Sequence, residues 1–80
     1  SYKNCIAIED SQIGVDAAMS ANLNCLLTLP PWSTNPKNIT DKANACVDSL
    51  GSNSKFSKLI YGKELICNFV DYHYLVNIIN

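Results

Sequence analysis

The sequence predicts an α/β fold built from short parallel strands, with one strand–helix–strand unit and a C-terminal helix. Three observations predict it. Two apolar runs, residues 4–9 and 24–29, flank an alanine-rich segment with helical spacing. A second set of apolar residues at helical spacing lies near the end of the chain. A strand, a helix and a strand in close succession form a βαβ unit, which joins parallel strands.

The first strand is predicted at residues 4–9, where Ile6 and Ile8 supply β-branched side chains. The run is apolar on both faces, which is typical of a central strand in a parallel sheet. Its last residue is the acidic Glu9, and Asp10 follows directly.

The predicted helix begins after Ser11, a residue type that caps helix N-termini. Ile13, Ala17 and Ala21 follow at i, i+4 and i+8, so we expect this stripe of mostly small side chains to pack on the sheet. The helix should end at Asn22, because asparagine tolerates the left-handed conformation of a C-terminal cap.

The second strand, residues 24–29, is expected to end at the two prolines that precede Trp32, since proline cannot donate to a strand ladder. Trp32 is interpreted as covering the sheet edge or the core, with a binding surface as the alternative. A polar loop, residues 33–42, leads to a third short strand at 45–48 and a turn at 52–54.

Residues 55–67 are ambiguous, because Gly62 interrupts any regular apolar period. Asp71 is predicted to cap the C-terminal helix. The predicted apolar stripe of this helix, spaced i, i+3, i+4 and i+7, consists of Tyr72, Leu75, Val76 and Ile79.

Composition limits the classes of function. The chain has 80 residues, which is one small domain, and a net charge of −1 without a basic run that would indicate nucleic-acid binding. Its apolar runs are far shorter than the roughly 18 residues of a membrane span. The first residues contain no basic segment followed by an apolar run, so the sequence does not predict a signal peptide there.

The four cysteines, Cys5, Cys25, Cys46 and Cys67, form no Cys-x-x-Cys pair, and a single histidine, His73, completes no zinc set. Apolar surroundings favour reduced core thiols in a cytoplasmic-type compartment, with disulfides as the alternative. His73 is interpreted as a surface or packing residue.

The carboxylates of Glu9 and Asp10 allow two interpretations. They follow a predicted parallel strand, where functional residues of open α/β sheets lie, and Mg²⁺ prefers carboxylate oxygens. Alternatively, they are a solvated strand end and helix cap, for which the helix dipole contributes about 0.3–1 kcal/mol. Position alone favours the solvated strand end.

A longer pattern shifts this balance. Glu9-Asp10-Ser11, then Gly14, then Ala17-Ala18, and finally Ala21-Asn22-Leu23 before a new strand resemble the fourth conserved motif of the haloacid dehalogenase (HAD) superfamily of phosphatases and phosphomutases. The resemblance is closest to the CbbY-like branch, relatives of β-phosphoglucomutase that act on sugar phosphates. It covers residues 4–29 most closely and continues at 45–51. Asn22 stands where the family usually has glycine.

The resemblance implies a Rossmann-like core and a role for each matching residue. Asp10 would ligate a catalytic Mg²⁺, and Glu9 would ligate it directly or through water. Ser11 would cap the helix and steady the loop. Gly14 would allow the helix to approach the sheet closely.

Other parts of the family pattern have no match in these 80 residues. The Asp-x-Asp motif with the nucleophile, the phosphate-contacting Ser/Thr motif, the catalytic lysine and the cap domain are all missing. Residues 1–80 are therefore expected to be the C-terminal portion of a HAD-like hydrolase core, with two metal ligands and no catalytic residue of their own.

The resemblance implies that the parent protein is a Mg²⁺-dependent phosphatase that acts on sugar phosphates through an aspartyl-phosphate, in the cytoplasm or in the chloroplast stroma of a photosynthetic eukaryote. The fragment alone is expected to be inactive. It is also expected to self-associate, since its first strand would lack the neighbour that carries the nucleophile. The alternative is a small, non-catalytic α/β binding or interaction module.

Overall fold

Six elements make up the computed structural model, which describes residues 4–29 and 40–79. In chain order they are β1 (Ile6–Glu9), α1 (Gln12–Ser20), β2 (Asn24–Thr28), β3 (Ala45–Val47), β4 (Leu59–Gly62) and α2 (Tyr72–Ile79). The predicted α/β class is confirmed, and so are the first three predicted strands within a residue or two at each end. The strand β4 resolves the ambiguity of residues 55–67.

The four strands form one sheet in the order β1-β2-β3-β4. β1, β2 and β3 are parallel, with Ile6 opposite Asn24 and Leu27 opposite Cys46, whereas β4 is antiparallel to β3. Consecutive elements β1, α1 and β2 thus form the predicted βαβ unit.

β1 is an edge strand of this sheet, as expected for a first strand that lacks its neighbour, whereas its apolar pattern alone predicts a central strand. Its side chains face two apolar layers: Ile6 packs against the core around α2, and Ala7 packs against the core around α1. An apolar pattern on both faces of a strand therefore indicates that both faces pack against other residues. It does not indicate how many strands lie beside it in the sheet.

The core lies on both sides of the sheet, with one helix over each face. On the α1 side the buried residues are Val15, Ala18, Cys25, Leu27, Ala43 and Cys46. On the α2 side they are Leu26, Ala45, Val47, Tyr74 and Ile78.

Both ends of α1 lie where the sequence predicts. At the start, the Ser11 hydroxyl accepts the amide of the third helical residue at 3.1 Å. At the end, Asn22 has a left-handed backbone with φ of +59°. The amides of Asn22 and Leu23 donate back to the carbonyls of Met19 and Ala18, each at 3.0 Å, which satisfies the last carbonyls of the helix.

The buried face of α1 is not the predicted one. Val15 and Ala18 are buried, whereas Ile13 is 83% exposed and Ala17 and Ala21 are also exposed. Alanines on several sides of a helix make several stripes equally suitable for close packing. The stripe that carries the branched side chain of Val15 is the one that contacts the sheet.

Gly62 ends β4 with a positive φ of +94°. A Cβ at this position would lie 2.6 Å from the Cα of Ala45 on the neighbouring strand β3. The glycine that interrupts the apolar period is therefore required by the close approach of two strands.

The helix α2 begins at its predicted cap but buries a different side. The Tyr74 amide donates to the Asp71 carboxylate at 2.9 Å. Tyr74 and Ile78 are buried, whereas Tyr72 of the predicted stripe is 75% exposed. The Tyr74 hydroxyl donates to the carbonyl of Lys63, and this hydrogen bond allows the aromatic ring to enter the core.

The predicted stripe of α2 instead lines an open groove of about 380 Å³ beside β1. The lining residues are Asn4, Ile6, Tyr72, Leu75, Val76 and Ile79.

Some predictions fall outside the described residues, namely the end of the second strand at 30–32 with Trp32 and most of the loop 33–42. Among the described residues, no helix has the length and apolar character needed to cross a membrane.

Candidate metal site

The end of β1 directs the two acidic side chains into different surroundings. Side chains alternate along a strand, so Glu9 shares the face of Ala7, which packs against the α1 core. Glu9 is half-buried on that face, whereas Asp10 follows the strand and is exposed. The structure thus places both predicted ligands at the carboxyl end of a parallel strand, beside the first turn of a helix.

Glu9 lies against the first turn of α1. A Cβ at Gly14 would be 3.1 Å from the Glu9 Cγ and 2.7 Å from its Cδ, with one carboxylate oxygen nearer still. The predicted reason for this glycine is close approach of the helix to the sheet. The atoms that come closest belong instead to the side chain of Glu9.

Two further contacts hold the backbone at this point. The Thr28 hydroxyl, at the end of β2, donates a long hydrogen bond of 3.4 Å to the carbonyl of Glu9. On the other side, Ser11 caps α1 through the Gly14 amide. The short segment that carries both carboxylates is therefore anchored to the neighbouring strand and to the helix.

The pair has no cation of its own in the described part of the chain. The ion pair found there joins Lys42 to Asp16 at 3.5 Å on the surface, and it includes neither Glu9 nor Asp10. The negative charge of Glu9 acts on the core thiol of Cys25, whose pKa is raised first by burial and then by this charge. Two neighbouring carboxylates with no ion-pair partner among residues 4–29 and 40–79 are a donor set whose mutual repulsion a divalent cation would relieve.

Asp48 is a third carboxylate at the carboxyl end of a strand, but it is engaged elsewhere. Its Oδ1 accepts the Lys58 amide at 2.7 Å and the Ser49 hydroxyl at 3.5 Å. Asp48 thus joins β3 to the segment before β4. Within residues 4–29 and 40–79, no group of three or more His, Cys, Asp or Glu side chains could hold a metal ion.

The chemistry of the donor set fits Mg²⁺ in part. Mg²⁺ is usually held by one or two carboxylates, with waters and substrate phosphate as the other ligands. Glu9 and Asp10 supply two carboxylates, and the recess at Gly14 accommodates one of them. Glu9 and Asp10 would therefore supply two of the carboxylate ligands that such a site uses.

The other reactive residue types do not form a site. Burial raises the pKa of the Cys46 thiol to about 11, and a thiol that stays protonated is a poor nucleophile or metal ligand. His73 is exposed and stacks edge-on against Tyr72, with 6.0 Å between the ring centroids. Lys55, Lys58 and Lys63 are exposed.

Two contacts were not predicted from the sequence: that of Thr28 with the Glu9 carbonyl, and that of Glu9 with Gly14. The Thr28 contact could not be predicted, because a threonine at a strand end is common. The Gly14 contact could have been suspected from the sequence, because a glycine inside an alanine-rich helical segment is unfavourable without a local reason.

A scan against protein-family models, a search of curated proteins and a search of solved structures each returned no match for this chain. The fold and the site define its class as an α/β unit with a mostly parallel four-stranded sheet, two helices, and a carboxylate pair at the carboxyl end of β1.

Proposed function

We propose that the chain carries two Mg²⁺ ligands, Asp10 and Glu9, of a HAD-like hydrolase that acts on sugar phosphates. The observation that carries this proposal is the carboxylate pair at the carboxyl end of a parallel strand, which has no ion-pair partner in the described residues. The nucleophile of the reaction belongs to a part of the parent protein outside residues 1–80.

The residues that resemble the HAD motif support the proposal through their local structure. Ser11 caps the helix after the acidic pair, the role that the motif implies for it. Asn22 adopts a positive φ at the position where the family usually has glycine. The βαβ topology that follows the pair is compatible with a Rossmann-like core.

The two carboxylates and their neighbours have separate proposed roles. Asp10, which is exposed, ligates the cation directly, and Glu9 ligates it directly or through water. When bound, Mg²⁺ neutralises the charge that develops on a transferring phosphoryl group. Ser11 and Thr28 hold the backbone between strand and helix, from which both carboxylate side chains extend.

Titration with Mn²⁺, a paramagnetic substitute for Mg²⁺, tests this assignment on the 80-residue chain. We expect weak binding that broadens the amide NMR signals of residues 9–11 most strongly, with less broadening as the distance from the pair increases. Asp10→Asn should abolish this broadening. Asp16→Asn is the matched control, because Asp16 is another α1-side aspartate that pairs with Lys42 on the surface. Unlocalised broadening, or localised broadening that persists in Asp10→Asn, contradicts the metal assignment.

The alternative is a non-catalytic α/β binding or interaction module. The observation that favours it is the open groove of about 380 Å³ beside β1, lined by apolar side chains of α2. A module of this kind has no need of a cation at Asp10. The Mn²⁺ titration therefore also separates the two functions.

A further inference from the structure

Gly14 occupies the third position of α1, where glycine is not needed for the backbone. The residues with positive φ in the described part of the chain are Asn22, Gly51 and Gly62, so Gly14 has an ordinary helical conformation. In a helix, alanine is more favourable than glycine by about 1 kcal/mol. The advantage of glycine at this position must therefore be the space that its missing side chain leaves.

The Glu9 side chain fills that space. The three atoms nearest to a Cβ built at Gly14 are the Glu9 carboxylate oxygen Oε1, Cδ and Cγ, and none belongs to the backbone of the sheet. Glu9 is half-buried there, on the face of β1 that α1 covers. The recess is thus specific to one side chain.

We propose that Gly14 is a positioning residue, whose missing side chain creates the recess that holds the Glu9 carboxylate and sets the direction in which it meets a divalent cation at Asp10. The role toward the cation rests on the proposed function. The recess itself rests on the packing of Glu9 alone.

Gly14→Ala is the informative variant. The atoms that an added methyl group would displace are the far end of a flexible side chain, so the helix should still form while Glu9 swings out of the recess. Gln12→Ala is the matched control, since Gln12 is an exposed residue of the same helical turn. Circular dichroism of both variants should match that of the unchanged chain.

The first measurement is Mn²⁺ affinity in a double-mutant cycle. Gly14→Ala should weaken binding about tenfold, which is the usual loss when a residue that orients a ligand is changed. In a Glu9→Gln background the same substitution should have no effect, because the group it positions is no longer a carboxylate. An equal loss in both backgrounds, or no loss in the unchanged background, overturns the proposal.

The second measurement needs no metal. A nuclear Overhauser effect between the Glu9 Hγ protons and the Gly14 Hα protons should be present in the unchanged chain and in Gln12→Ala. Its absence from the unchanged chain overturns the recess. If this effect is present but no variant binds Mn²⁺, the magnesium proposal and the cation role of Gly14 fail together while the recess stands.

Discussion

The buried thiol of Cys46 makes the free energy of unfolding of this chain depend on pH. Cys46 is fully buried in β3, and burial raises its pKa from 9.0 to about 11. Between these values the folded state keeps a proton that the unfolded state has lost. The stabilisation is therefore complete below pH 9 and is lost as the pH rises toward 11.

We expect the free energy of unfolding to fall by about 2 kcal/mol over this range, since one pKa unit corresponds to about 1.4 kcal/mol. Urea unfolding at several pH values, with reductant present, measures the slope of the free energy of unfolding against pH. Cys46→Ala should make this slope shallower but should not abolish it, because burial also raises the pKa of Cys25, Tyr61 and Tyr74. Cys67→Ala, which changes an exposed thiol, is the control. A slope that is equally steep in Cys46→Ala would show that this thiol is not responsible.

At the scale of the elements, β1 is one of the two edge strands of the sheet. Its residue Ile8 is 44% exposed, and the apolar groove of α2 runs beside it. An exposed, apolar edge strand is a site of strand pairing between chains. The isolated chain is therefore expected to self-associate through β1.

Sedimentation velocity over a range of concentrations tests this expectation. Ile8→Lys should reduce association, because a lysine on an edge strand opposes pairing. Ile13→Lys is the control, since Ile13 is 83% exposed and belongs to the helix α1, not to the edge strand. A cleanly monomeric, cooperatively unfolding species of 8.8 kDa for the unchanged chain would contradict the role of this edge.

Element ends were more predictable than element faces. Ser11, Asn22 and Asp71 act on backbone groups within three or four residues of themselves, so their types alone locate the helix ends. The buried faces depend on which side chains the sheet can accommodate. The order of residues does not give that information, as the exposed Ile13 and the buried Tyr74 show.

At the scale of the whole molecule, the sheet separates two surfaces. The carboxyl end of β1 carries the acidic pair beside α1, and the other face carries the groove beside α2. The sequence predicts the position of the acidic pair because strand, pair and helix cap are contiguous. It does not predict the recess at Gly14, because the rotamer of Glu9 cannot be derived from residue order, or the antiparallel β4, because that strand depends on contacts between segments distant in the chain.

The most direct test of the proposed function is an assay of the protein encoded by the whole open reading frame. The assay measures Mg²⁺-dependent release of phosphate from sugar phosphates. We expect that protein to be active and the 80-residue chain alone to be inactive. In the whole protein, Asp10→Asn should abolish turnover and Asp16→Asn should preserve it. Full Mg²⁺-dependent turnover by Asp10→Asn, or by the isolated chain, would contradict the assignment of this chain as half of a metal site.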